Sequence, residues 1–121
     1  MSTDKRKYYR LNAKVEVKVK NISNNAASAK EDIPVVTRDV GVAGVCIVTR
    51  KPFRVNDIVQ MDISFAQDKV ISAIGIVKWV QEQGTVKGLG LNDFFIGVQF
   101  TNIADKDRAV IGQFVFDGIN G

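Results

Sequence analysis

Histidine is absent from this chain of 121 residues, and cysteine appears once. The first absence removes the usual general base, the commonest transition-metal ligand and every catalytic triad built on an imidazole. The second excludes an intramolecular disulfide and a cysteine-built zinc site, and it suits a reducing compartment. Cys46 itself lies in the apolar run VCIVT and reads as a small buried hydrophobe with no redox duty. No GxxxxGK[ST] phosphate loop occurs. Carboxylates are scattered along turns and exposed faces, with no pair poised for acid–base work. Together these absences favour a binding module over an enzyme. No apolar run is long enough to span a bilayer, and none follows the basic start, so the expectation is a cytoplasmic protein without a membrane span.

What is present fits one globular domain over residues 1–121, with 45% hydrophobic and 25% charged residues supplying a single core. Net charge is +4, and its distribution says more than its total. Residues 1–20 hold seven Lys/Arg against Asp4 and Glu16, 7 − 2 = +5, whereas the other 101 residues hold ten basic and eleven acidic groups, 10 − 11 = −1. The excess positive charge is therefore confined to the N-terminal end, where it attracts anions over a long range.

Residues 1–12 lack an apolar period and read as a flexible basic arm. From Lys14 the sequence KVEVKVK alternates, with Val15, Val17 and Val19 on one face of a half-buried strand and Lys14, Lys18 and Lys20 on a solvated one. SNNAASAKED, 23–32, is a polar loop. Extended runs follow at VVTRDV, VCIVT, IVQMDISF and VISAIGIVKWVQ, with Gly75 in the last marking a bulge or bend. EQGTVKGLGLND, 82–93, reads as a glycine-rich connection to FFIGVQFT. Six or so short strands imply a small all-β barrel or sandwich. At the end, Val110, Ile111, Phe114 and Val115 recur at helical spacing, Asp105 and Asp107 suit a helix N-terminus, and Gly118 suits its stop.

Two short motifs stand out. Arg6-Lys7-Tyr8-Tyr9-Arg10 is an RxxxR pattern, and RDVGVAG, Arg38 to Gly44, lies between two extended runs. RxxxR followed about thirty residues later by [D/N]xSxxG resembles the PilZ domain, a receptor for the bacterial second messenger cyclic di-GMP. Arg6 and Arg10 stand at the two arginine positions, and Asp39 and Gly44 at the first and last positions of the second motif. GIVKWV is similar to the family's tryptophan-bearing strand, and IGVQF to the strand before its closing helix. The resemblance covers nearly the whole chain. It implies an all-β fold, a six-stranded antiparallel split barrel over 13–101 with a C-terminal α-helix over 103–117.

The resemblance also implies a ligand. Cyclic di-GMP offers two phosphates and two guanines, and a flat, permanently charged guanidinium can fork onto a phosphate, bond a guanine edge or stack on a base. Arg6 and Arg10 are the expected clasp, and Asp39 can accept from the N1–H and N2–H₂ edge of guanine. Gly44 gives a sharp turn beside the ligand. Arg38 is a further phosphate contact, and Trp79 stands between core or rim residue and ligand contact. Lys5, which precedes RxxxR, is at the position that influences ligand stoichiometry in relatives. One departure matters: Gly41 stands where the family has serine, deleting a hydroxyl worth about 1 kcal/mol, roughly five- to tenfold in affinity, while leaving a backbone N–H that can approach closely. The expected role is a stand-alone receptor without cofactor or metal, signalling through arm ordering to a partner protein supplied in trans. Two alternatives stand beside it. One is an adaptor of the same family that has lost nucleotide binding, which Gly41 favours. The other is a small nucleic-acid-binding barrel with Tyr8, Tyr9 and Trp79 as stacking groups, which the confinement of charge to one arm disfavours.

Overall fold

The computed structural model describes residues 10–23, 32–51, 53–66, 69–86 and 91–120. Seven strands and one helix follow in chain order: β1 Arg10–Asn12, β2 Glu16–Asn21, β3 Ile33–Gly41, β4 Gly44–Thr49, β5 Ile58–Ala66, β6 Lys69–Val86, β7 Leu91–Asn102 and α1 Asp105–Asn120. All pairings are antiparallel. The order β3-β2-β5-β6-β7-β4 closes on itself through β3–β4, giving a six-stranded barrel, with β1 added along β3.

Period-two alternation fills the barrel. Val15, Val17 and Val19 point inward, as do Val59, Met61 and Ile63 on β5 and Ile71 and Ala73 on β6, all 7% exposed or less. The inward face of β5, on which both parities carry apolar residues, is thus the Val59 face. The helix closes the barrel with the stripe its sequence shows. Ile111 and Val115 are buried, Val110 and Phe114 are partly buried against the core, and the Phe114 ring meets Phe65 edge-on at 4.8 Å.

Several boundaries differ from expectation, each for a physical reason. Arg10–Asn12 belong to a strand and not to an arm ending at residue 12, because the second half of β3 offers them a partner: Arg10 lies opposite Gly41 and Asn12 opposite Asp39. β1 and β2 are in effect one strand interrupted at Ala13–Val15. There the buried Thr37 hydroxyl donates to the Ala13 carbonyl at 2.5 Å and accepts the Val15 N–H at 2.9 Å, satisfying backbone groups that the ladder leaves out. Much of the 82–93 stretch is strand, since β6 and β7 continue pairing beyond the barrel through a register shift between Glu82 and Thr85. The helix spans 105–120 where 103–117 was expected, and Gly118 lies inside it. A Cβ on Gly118 would fall 2.2 Å from Leu11 Cδ2, so the glycine's service is a notch for Leu11 rather than a helix stop.

Candidate functional site

The site grows out of two interruptions of the alternation. In the β3–β4 ladder Thr37 faces Ile47 and Asp39 faces Cys46, so Arg38 is an extra residue. In the β6–β7 ladder Val77 faces Val98 and Trp79 faces Gly97, so Lys78 is an extra residue. A bulge places two consecutive residues opposite one and re-aims them. On either side of each bulge the inward pattern resumes, with Thr37 and Val40 at 1% and 0% exposure. The intervening Arg38–Asp39 and Lys78–Trp79 pairs are thereby turned to the outside of the barrel.

The two bulges flank one transverse row. Asp39 pairs with Cys46, Cys46 with Gly97, and Gly97 with Trp79, crossing β3, β4, β7 and β6 in turn. Both middle residues are small, so the row is low in its centre and high at its ends. The result is a surface pocket of about 360 Å³ lined by Arg10, Arg38, Asp39, Gly44, Lys78, Trp79 and Gly97, among others. That volume falls at the small end of the range for ligand sites, about 300–1,000 Å³. A larger concavity of about 640 Å³ runs along β2, the start of β3 and the end of β4, and it holds none of the motif residues.

One carboxylate organises the pocket's charge. Arg10 donates from Nε to Asp39 Oδ1 at 2.6 Å, with Nη2 at 2.5 Å from the same oxygen. Arg38 donates from Nε to Oδ2 at 3.0 Å. Asp39 is thus nearly buried, at 7% side-chain exposure, beneath two arginines whose side chains are 24% and 44% exposed. Each guanidinium has five N–H donors and retains some beyond those given to Asp39. Arg10, Arg38 and Lys78 against Asp39 leave the lining with an excess of two positive charges, 3 − 1 = +2, as an anion site requires. Arg38 also lies over aromatic faces, its guanidinium carbon 4.9 Å from the Phe95 ring centroid and 5.9 Å from that of Trp79. Beneath these groups the Cys46 thiol is fully buried. That burial pushes its pKa up, partly countered by the nearby Arg38.

Of the residues singled out in the sequence, Arg10, Arg38, Asp39, Gly44 and Trp79 meet around this pocket. Gly41 is opposite Arg10 across the β1–β3 pair and is buried. Gly44 is a buried strand residue whose missing Cβ lets the Val98 carbonyl approach; a Cβ there would lie 2.1 Å from that oxygen. This close packing, and not a sharp turn alone, is what calls for glycine. Lys5, Arg6, Tyr8 and Tyr9 lie outside the described residues. Lys78 and Gly97 line the pocket and were not anticipated. Their signal was the paired polar step in V-K-W-V, Val77 to Val80, which breaks an otherwise alternating strand, as T-R-D-V does at Thr37 to Val40.

Over residues 4–117 the chain matches the family model described as PilZ domain. It belongs to the PilZ family. Solved structures share the fold at low identity. The PilZ domain of YcgR from Escherichia coli, described with c-di-GMP, is 15% identical with a TM-score of 0.73, covering 97% of this chain and 93% of that one. The Bacillus subtilis inhibitor of motility MotI is 14% identical with a TM-score of 0.74, over 94% of this chain and 51% of that one. K. pneumonia MrkH, described as a c-di-GMP complex, is 16% identical with a TM-score of 0.71, over 98% and 54%. The chain therefore spans about half the length of MotI and MrkH and nearly all of the YcgR domain. No curated protein matches it. Among the described residues of this PilZ domain there is no group of three metal-ligating side chains, and no helix long and apolar enough to cross a membrane.

Proposed function

We propose that this PilZ domain is a cyclic di-GMP receptor rather than an enzyme, with its ligand seated in the pocket between the two bulges. The observation that carries this reading is the Arg10–Asp39–Arg38 cluster: two forked cations on one nearly buried carboxylate, beside an aromatic ring and with net positive charge. In the free protein Asp39 holds both guanidiniums in place, so little ordering remains to be done when an anion arrives. Phosphate oxygens take the donors that Asp39 leaves over. A guanine edge presents N1–H and N2–H₂ to the carboxylate; the arginines leave one lone pair free, on Oδ2, so one of the two donors takes that site and the other displaces an arginine contact. Arg6 completes the clasp from the N-terminal side, and Lys5 adjusts how many ligands it holds. Gly41 supplies a backbone N–H where relatives of the family carry a serine hydroxyl, which weakens binding without abolishing it.

Ligand phosphates neutralise the basic N-terminal region, and that change in surface charge is the signal to a partner protein in trans. The adaptor reading has one observation in its favour, the missing hydroxyl at Gly41. Equilibrium titration with cyclic di-GMP, GMP and a short oligonucleotide at two salt concentrations tests the proposal. Saturable binding of cyclic di-GMP, tighter than GMP, is the expected result. No binding of any nucleotide favours the adaptor, and oligonucleotide binding that falls steeply with salt favours a nucleic-acid module.

A further inference from the structure

Gly97 sits at the low centre of the outer row, between Cys46 and Trp79. A Cβ built on it would fall 2.1 Å from Trp79 Nε1, 2.2 Å from Cε2 and 2.7 Å from Cδ1. All three atoms belong to the five-membered ring of the indole, so that ring rests on the bare backbone of β7 at this residue. No other residue type leaves room for it. The bulge at Lys78 gives Trp79 its outward direction, and Gly97 then lets the side chain fold back flat across the neighbouring strand instead of standing off the sheet. Trp79 remains 40% exposed, consistent with one face covered and the other open. Trp79 and Arg38 both line the pocket, with the Arg38 guanidinium carbon 5.9 Å from the Trp79 ring centroid and 4.9 Å from that of Phe95.

Resting on the receptor reading above, we infer that Gly97 is a positioning residue for the nucleotide: by holding the Trp79 indole flat, it creates the platform on which one purine ring of the ligand stacks. The chemistry favours a flat heterocycle beside phosphate, and a guanine nucleotide supplies both. Stacking on an aromatic side chain is tolerant of base identity, so this contact contributes affinity, while selection for guanine falls to Asp39. Gly97 touches no ligand atom in this account; it acts through Trp79 alone.

Trp79 is the only tryptophan in the chain, so its fluorescence reports directly on this arrangement. In Gly97→Ala the added methyl forces the indole off the strand. The free variant, folded by circular dichroism, is expected to emit at longer wavelength than wild type, because both indole faces then meet water. Its affinity for cyclic di-GMP is expected to fall roughly tenfold or more, as when a stacking partner is removed. Trp79→Ala should weaken binding to a similar degree, and Gly97→Ala introduced into Trp79→Ala should weaken it no further, since the pair acts as one unit. Losses that add, or a free-state emission unmoved by Gly97→Ala, overturn the inference. The emission readout needs no ligand, so it decides the positioning role even if wild type binds no cyclic di-GMP and the receptor reading fails. If Gly97→Ala does not fold, acrylamide quenching of wild-type Trp79 replaces it. A ligand stacked on the open face lowers the quenching constant, and a constant unchanged at saturation overturns the platform.

Discussion

The inside of this barrel and the outer row that crosses it are built from the same strands by opposite means. Inside, alternating Val, Ile and Met side chains meet with no charged partner; Ile47, Met61, Ile63 and Ile96 are all fully buried. Outside, Asp39, Cys46, Gly97 and Trp79 form a line of unlike residues, charged at one end, aromatic at the other and small between. The interior is a regular repeat that tolerates local change in shape at a cost in stability. The row depends on two added residues, Arg38 and Lys78, whose insertion leaves the interior pattern intact while turning charged and aromatic side chains outward. Under the proposed reading, stability and recognition are thereby separated on the two faces of one sheet.

Substitutions that act on one face and spare the other test this separation. Ile47→Ala removes core volume and should lower unfolding free energy by about 2–5 kcal/mol in chemical denaturation, while the affinity of the folded protein for cyclic di-GMP stays within about twofold of wild type. A large affinity loss here would mean the faces are coupled. Asp39→Ala acts on the row. It removes the shared acceptor of Arg10 and Arg38 and the proposed guanine acceptor, so affinity should fall by about 2–3 kcal/mol, roughly a hundredfold, in titration calorimetry. Its effect on stability is smaller, because both arginines reach water. Gly41→Ser restores the hydroxyl usual in the family and should tighten binding by roughly five- to tenfold, about 1 kcal/mol.

The smallest effect is on pH dependence and comes from Cys46, whose folded pKa is raised by burial above the ordinary 9.0. A raised pKa means that the folded state holds the thiol proton more tightly than the unfolded one does. That contribution is fully present below the ordinary thiol pKa and is lost as pH climbs through the folded value. Stability measured across the alkaline range should therefore fall less steeply in Cys46→Ala than in wild type.

How much of this was legible in the sequence follows the same division. The Val15, Val17, Val19 alternation and the Val110, Ile111, Phe114, Val115 stripe announced the inward faces, because burial imposes the period of the element on the chain. Gly75 announced an irregularity, and a register shift lies between Ile74 and Gly75. The 82–93 hairpin extension was hidden because its strands pair mainly with each other, so no core marks them. Gly118 looked like a helix stop because Leu11, which fills its notch, is distant in sequence. At the site, the motif pattern pointed to Arg10, Asp39 and Trp79, which share one pocket. Gly97 and Lys78 were missed, since only the register reveals which residue a glycine faces or where a strand takes an extra step.

Titration calorimetry of wild type, Arg10→Ala and Arg10→Lys with cyclic di-GMP shows whether the arginine–carboxylate cluster holds the ligand. Arg10 pairs with Asp39 through a fork that lysine cannot reproduce. Saturable binding to wild type is expected, with a loss of tenfold or more in both variants and their folds intact. Equal affinity in all three would contradict it.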